Sequence, residues 1–158
     1  MGNSLIYTQE QFSSDIKILS NQIAKADIQY DSLIAITRGG LVPTGYLSQS
    51  LNIKKIYTCG GYFEKENEFQ FINYPQSICG KILMVSDLVK TGKTLAMIIN
   101  AYRNLADKNI EIDIACIHYF SEISKEIIPK YYIHKYIEDY FITYPWEIPV
   151  QSNTHTNV

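Results

Sequence analysis

The chain has 158 residues, of which 46% are hydrophobic and 19% charged, with a formal net charge of −2. That length and apolar content suit one domain with its own core, and the small negative charge gives no bulk drive toward nucleic acid. No uninterrupted apolar run approaches about 18 residues, so no membrane-spanning helix is expected, and Cys59, Cys79 and Cys116 are too widely spaced for a metal pair and read as reduced thiols. No secretory leader is read, and a cytoplasmic protein is the default expectation.

Thr8-Gln9-Glu10-Gln11 has the form of a capping box. Phe12, Ile16, Leu19 and Ile23 follow at helical spacing, which predicts an amphipathic helix over residues 9–25. Leu33-Ile34-Ala35-Ile36 is a short apolar strand, ended by Thr37-Arg38-Gly39-Gly40. Leu41-Val42-Pro43 then opens a helix, with proline tolerated in its first turn and Leu47 and Leu51 on its buried side. A glycine turn between a strand end and a helix start lies where open parallel sheets bind ligands. Arg38 beside it suggests a diphosphate. Residues 54–62 read as a strand, and Phe63 to Asn73 as a hairpin or mobile flap in which Lys65 is the one cation.

The densest signal is Lys81 to Leu95. Ile82 to Val85 reads as a buried strand, with Ser86-Asp87 where it ends. A turn through Lys90-Thr91-Gly92 follows, and Leu95, Ile98, Ile99 and Tyr102 predict a helix from about Thr94. Free N–H groups at a helix start, with the helix dipole, hold phosphate. Thr91 and Thr94 add hydroxyls, Gly92 lets the backbone come close, and Asp87 is set to accept hydrogen bonds from ribose hydroxyls. Gly92-Lys93-Thr94 does not belong to a nucleotide-triphosphate P-loop, because Asp87 stands where that loop needs its first glycine.

In Ile110 to Phe120 the residues Ile112, Ile114, Cys116, His118 and Phe120 share one strand face, and His118 reads as a hydrogen-bonded core residue. His134 and His155 have no partner at ligand spacing, so no zinc site is inferred. Tyr140 to Glu147 closes the fold, giving a single domain over 1–150 with a frayed tail over 151–158. Alternating strands and helices imply an α/β fold.

Met84-Val85-Ser86-Asp87-Leu88-Val89-Lys90-Thr91-Gly92-Lys93-Thr94 resembles the phosphoribosyl-diphosphate (PRPP) signature of type I phosphoribosyltransferases. Ile36-Thr37-Arg38-Gly39-Gly40-Leu41-Val42-Pro43 resembles the diphosphate loop of the xanthine-guanine and hypoxanthine members, in which the peptide before the arginine is often cis. Phe141-Ile142 with Pro145-Trp146-Glu147 is similar to their purine-binding end. The resemblance implies a twisted parallel sheet flanked by helices, with a small C-terminal hood. It also implies transfer of 5-phosphoribosyl from PRPP to a nucleobase, a 6-oxopurine first, with Mg²⁺ as cofactor. PRPP would be held by Arg38, Gly39, Gly40, Ser86, Asp87, Lys90, Thr91, Gly92, Lys93 and Thr94. Asp87 and Lys90 would serve the chemistry, Asp87 the metal, and Phe141 and Ile142 the base. The partners implied are PRPP and a nucleobase or other small acceptor, in a homo-oligomer.

Three positions depart from the family pattern. Ser86 replaces the first of two acids, which weakens the metal contact. Lys90 stands where purine enzymes often carry an aspartate, and a lysine is no ready base. Phe120 stands near the position of a lysine that reads the 6-oxo group. These changes leave two alternatives open: a regulator that binds PRPP or a nucleotide without turnover, or an enzyme with a non-purine acceptor.

Overall fold

Thr8 caps the first helix as its sequence predicts. Its hydroxyl accepts from the Gln11 N–H at 3.2 Å, and the Gln11 side chain accepts from the Thr8 N–H at 2.8 Å. In this computed structural model, which describes residues 3–66, 68–75, 77–105, 109–124 and 126–147, that helix, α1 (Gln9–Lys25), follows a short strand β1 (Asn3–Ile6). Then come β2 (Ser32–Ile36), α2 (Leu41–Ser50), β3 (Ile56–Lys65), β4 (Glu68–Asn73), β5 (Gly80–Val89), α3 (Lys93–Leu105), β6 (Ile110–Phe120), β7 (Tyr131–Tyr136) and β8 (Tyr140–Thr143). A 3₁₀ turn covers Pro145–Glu147.

The main sheet has the strand order β4-β3-β2-β5-β6-β7. Every neighbour pair in it is parallel except the β3–β4 hairpin. Strands β2 and β5 are buried on both faces, which is why each reads as an unbroken apolar run. Side chains alternate between the faces. Leu33, Leu83 and Val85 join Phe12, Leu19 and Leu47 in one core cluster, beneath α1 and α2. Ile34, Ile82 and Met84 join Leu95, Ile98 and Tyr102 of α3 in the other. The result is a mostly parallel sheet flanked by three helices, the type I phosphoribosyltransferase arrangement implied by the sequence.

Three boundaries differ from the sequence reading. Strand β5 runs on to Val89, because pairing with β6 continues through Leu88 with His118 and Val89 with Tyr119. Ser86 and Asp87 therefore sit in the last third of a strand rather than at its end. Helix α3 starts at Lys93, one residue earlier than expected. The N-terminal strand β1 was not expected; it pairs in parallel with β8, Ser4 against Phe141, and builds the hood from both ends of the chain. No helix among the described residues is long and apolar enough to cross a membrane. The tail over 151–158, with His155, lies outside the described residues.

Candidate active site

Two strand-to-helix turns meet at the C-terminal edge of neighbouring strands β2 and β5. At the end of β2 the peptide between Thr37 and Arg38 is cis, as the resemblance implies. The Gly40 N–H donates to the Ile36 carbonyl at 2.9 Å, and the Thr44 hydroxyl donates to the Gly40 carbonyl at 2.6 Å. Gly40 is packed against β5: a Cβ there would lie 2.3 Å from the Val85 carbonyl oxygen. A Cβ on Gly39 would lie 1.8 Å from Asp87 Oδ2, so only glycine lets the two turns close on each other. The Arg38 side chain is exposed and makes no hydrogen bond or ion pair among the described residues.

Asp87 is the centre of the arrangement. Its Oδ1 accepts the Leu88 N–H at 2.8 Å, and the Ser86 hydroxyl lies 3.3 Å from the same oxygen. Ser86 also donates to the Leu88 carbonyl at 3.0 Å. Burial pushes the Asp87 carboxyl up to about 6 from the usual carboxylate value, and the charge of Glu147 adds to the rise. The Leu88 N–H works in the other direction without overcoming it. A carboxylate kept where its charge is costly is a functional-site signal when it also faces a cavity.

Asp87 faces such a cavity, of about 300 Å³, with Arg38, Gly39, Ser86, Thr91, Gly92 and Thr94 among its lining residues. Lys90 lines it as well. Gly92 has φ +76, and a Cβ there would meet the Ser124 hydroxyl and Ile127, so glycine is required on both counts. The loop hands directly into α3, whose first N–H groups have no partner within the helix. Gly40 and Lys93 do not line the cavity. Gly40 supports the loop from behind, and Lys93 faces solvent. A larger hollow, about 700 Å³, lies beside Asp27, Tyr30, Asn52 and Lys54. It is at the N-terminal edge of the strands, away from the helix starts that bind anions, so the smaller cavity is the candidate site.

The remaining sequence candidates fall around the hood. The Lys90 ammonium is drawn to Asp139, with which it pairs at 2.5 Å, and lies 5.7 Å from the centre of the Phe120 ring. Phe120 itself packs on Tyr136, and Tyr136 on Tyr140. Phe141 is 69% exposed on β8, free to stack on a ligand, whereas the Ile142 side chain is buried in the core and leaves only its backbone for that purpose. Lys65 pairs with Glu68 at the exposed tip of the β3–β4 hairpin.

Sequence reading missed the residue that supports Asp87 from the hood. Tyr144 is buried, and its hydroxyl donates to the Asp87 backbone carbonyl at 3.2 Å. The same hydroxyl lies 2.8 Å from Nδ1 of His118. With the phenol proton on Asp87, the Tyr144 oxygen accepts from Nδ1–H, which fixes the tautomer. Burial, with the neighbouring His134, pushes His118 down to about 3, so it is a neutral core residue as expected. His134 stacks on it and pairs with Asp15, which also accepts the Tyr7 hydroxyl at 2.6 Å. A tyrosine at 144 carries no local signal for this role, because its partners are 26 and 57 residues away.

Among the described residues no three His, Cys, Asp or Glu side chains gather to hold a metal unaided. Asp87 and Ser86 offer oxygen donors of the kind Mg²⁺ takes when it arrives on substrate phosphates. The residues therefore fit an ion shared with a diphosphate.

No family model matches the chain. A xanthine-guanine phosphoribosyltransferase of Chromohalobacter salexigens is 26% identical over 144 residues, covering 89% of this chain and 82% of the relative. Among solved structures, a purine phosphoribosyltransferase from Pyrococcus horikoshii superposes with a TM-score of 0.80 at 26% identity, over 94% of this chain and 97% of the other. A Helicobacter pylori xanthine-guanine-hypoxanthine phosphoribosyltransferase gives a TM-score of 0.77 at 19% identity, over 92% and 95%.

Proposed function

We propose that this chain, whose fold and sequence likeness are those of the type I phosphoribosyltransferases near the purine enzymes, transfers 5-phosphoribosyl from PRPP to a nucleobase and releases diphosphate. The observation that carries the reading is the convergence of Arg38, Gly39, Asp87 and the start of α3 on one cavity. Thr91, Thr94 and the N–H groups of the α3 first turn take the 5-phosphate. Asp87, set between the two loops, accepts from the ribose hydroxyls. Arg38 and the Gly39 loop hold the diphosphate, Arg38 by paired N–H donors. Asp87 and Ser86 would help hold Mg²⁺, which when bound would supply positive charge to offset that of the departing diphosphate. Catalysis then rests mainly on holding PRPP in place and neutralising the diphosphate as it departs. Phe141 stacks on the base, and a 6-oxopurine is the first acceptor.

A second reading, a PRPP- or nucleotide-binding regulator without turnover, is favoured by Ser86 and Lys90, whose residue types change while the phosphate loops survive. Diphosphate release from PRPP and Mg²⁺ separates the two. It is measured across hypoxanthine, guanine, xanthine, adenine, uracil and orotate, with PRPP binding followed by calorimetry. Base-dependent release supports the enzyme. Binding without release with any acceptor supports the regulator, and absence of PRPP binding removes both.

A further inference from the structure

The proton on the acceptor has no evident destination in this cavity. A neutral ring N–H that attacks carbon must shed its proton as the new bond forms. Asp87 is the one carboxylate among the lining residues. Its Oδ1 accepts the Leu88 N–H, and its Oδ2 lies against Gly39, on the β2 side of β5. On the other side of β5 lies β6, where Tyr144, just after the hood strand β8, reaches His118. There the cavity-lining group is Lys90, held over Phe120 at the end of β6 by Asp139 in the β7–β8 turn. The other titratable groups facing this corner are Tyr136, Tyr140 and Glu138, the last of which accepts the Tyr140 hydroxyl at 3.4 Å. The Glu147 charge acts on Asp87, and its Oε2 accepts the Tyr144 N–H at 3.0 Å. An ammonium donates three hydrogen bonds and accepts none. Asp139 takes one through its Oδ1 and does not line the cavity; two remain.

Resting on the reading above, we propose that Lys90 makes the base subsite select its acceptor as the anion, a deprotonated 6-oxopurine. The two free N–H donors match the adjacent acceptors N7 and O6 on one edge of such a base, as lysine does when it reads guanine. Adenine offers a donor amino group where O6 would be, donor against donor. The proton is lost to solvent before binding. The N9 electron pair of the anion then forms the bond to C1′ of the ribose while the C1′–oxygen bond to diphosphate breaks. Diphosphate leaves with that electron pair, and no protein base is needed.

The test is kcat/KM for hypoxanthine, guanine and xanthine from about pH 6 to about pH 10 at saturating PRPP and Mg²⁺. The expected profile rises with pH, and its inflection moves from base to base with the acidity of each, earliest for xanthine, the most acidic of the three. Lys90→Gln is expected to lower kcat/KM for hypoxanthine by about 10- to 100-fold, the value of one charge-assisted contact. It also narrows the preference over adenine, and Lys90→Arg restores much of both. An inflection common to all three bases assigns the proton to a protein group and overturns the proposal, as does a hypoxanthine-to-adenine ratio unchanged in Lys90→Gln. PRPP binding with no base turned over overturns it together with the catalytic reading. A common inflection with normal turnover leaves that reading standing.

Discussion

Asp87→Asn separates what the cavity needs from what the fold tolerates. Burial pushes the Asp87 carboxyl up to about 6 in the folded chain, from an ordinary value of 3.8. A carboxyl raised on folding holds its proton more tightly in the native state. Its contribution is neutral below about pH 4, turns unfavourable as pH climbs toward 6, and stays at its full cost above that. Two units at about 1.4 kcal/mol each set an upper bound near 3 kcal/mol. Asp87 keeps some solvent contact, so about 1–2 kcal/mol is the expected figure. Asparagine removes the charge and keeps an oxygen for the Leu88 N–H. At about pH 7.5 the variant should therefore be more stable by about 1–2 kcal/mol, a rise in Tm of about 2–8 °C for a chain of this size. The gain should shrink toward zero near pH 4. The same variant should lose about 100-fold or more in kcat/KM for PRPP, since the ribose contact goes with the charge. Urea and thermal melts at the two pH values, with diphosphate release, test both halves. A variant less stable than wild type at pH 7.5, or a gain that does not fall with pH, would refute the burial argument.

The other predictions act on separate parts of the site. Arg38→Ala removes an exposed side chain, so melts should not move, while the KM for PRPP should rise by about tenfold or more in initial-rate assays. Tyr144→Phe deletes the hydroxyl between the Asp87 carbonyl and His118. It should cost about 1–3 kcal/mol in urea unfolding, because His118 loses its partner in the core, and it should raise the KM for PRPP as well. Phe141→Ala should leave stability and PRPP binding unchanged and raise the KM for the base by about 5- to 100-fold, the range of base stacking on an aromatic ring. Unchanged base kinetics in that variant would remove Phe141 from the site.

Much of this was legible in the sequence because it is local. Strands such as Leu33–Ile36 and Ile82–Val85 are apolar on both faces, and the run from Ser86 to Thr94 holds its own turn chemistry. Arg38 and the glycines after it could be read at a strand end for the same reason. What escaped is non-local. Gly39 is required by a carboxylate 48 residues on, and the pairing of Lys90 with Asp139 joins two elements that only the folded hood brings together. Strand β1 is four residues long and finds its partner at the far end of the chain. Strand β7, Tyr131–Tyr136, alternates too weakly to be separated from a loop.

The most direct test of the account is phosphorus NMR of the protein with PRPP, Mg²⁺ and a 6-oxopurine. The account predicts that the PRPP signals decay while diphosphate and a nucleoside 5′-monophosphate grow in equal amounts, and only when the base is present. PRPP that stays intact, or that decays to diphosphate and ribose 5-phosphate whether or not a base is added, would contradict it.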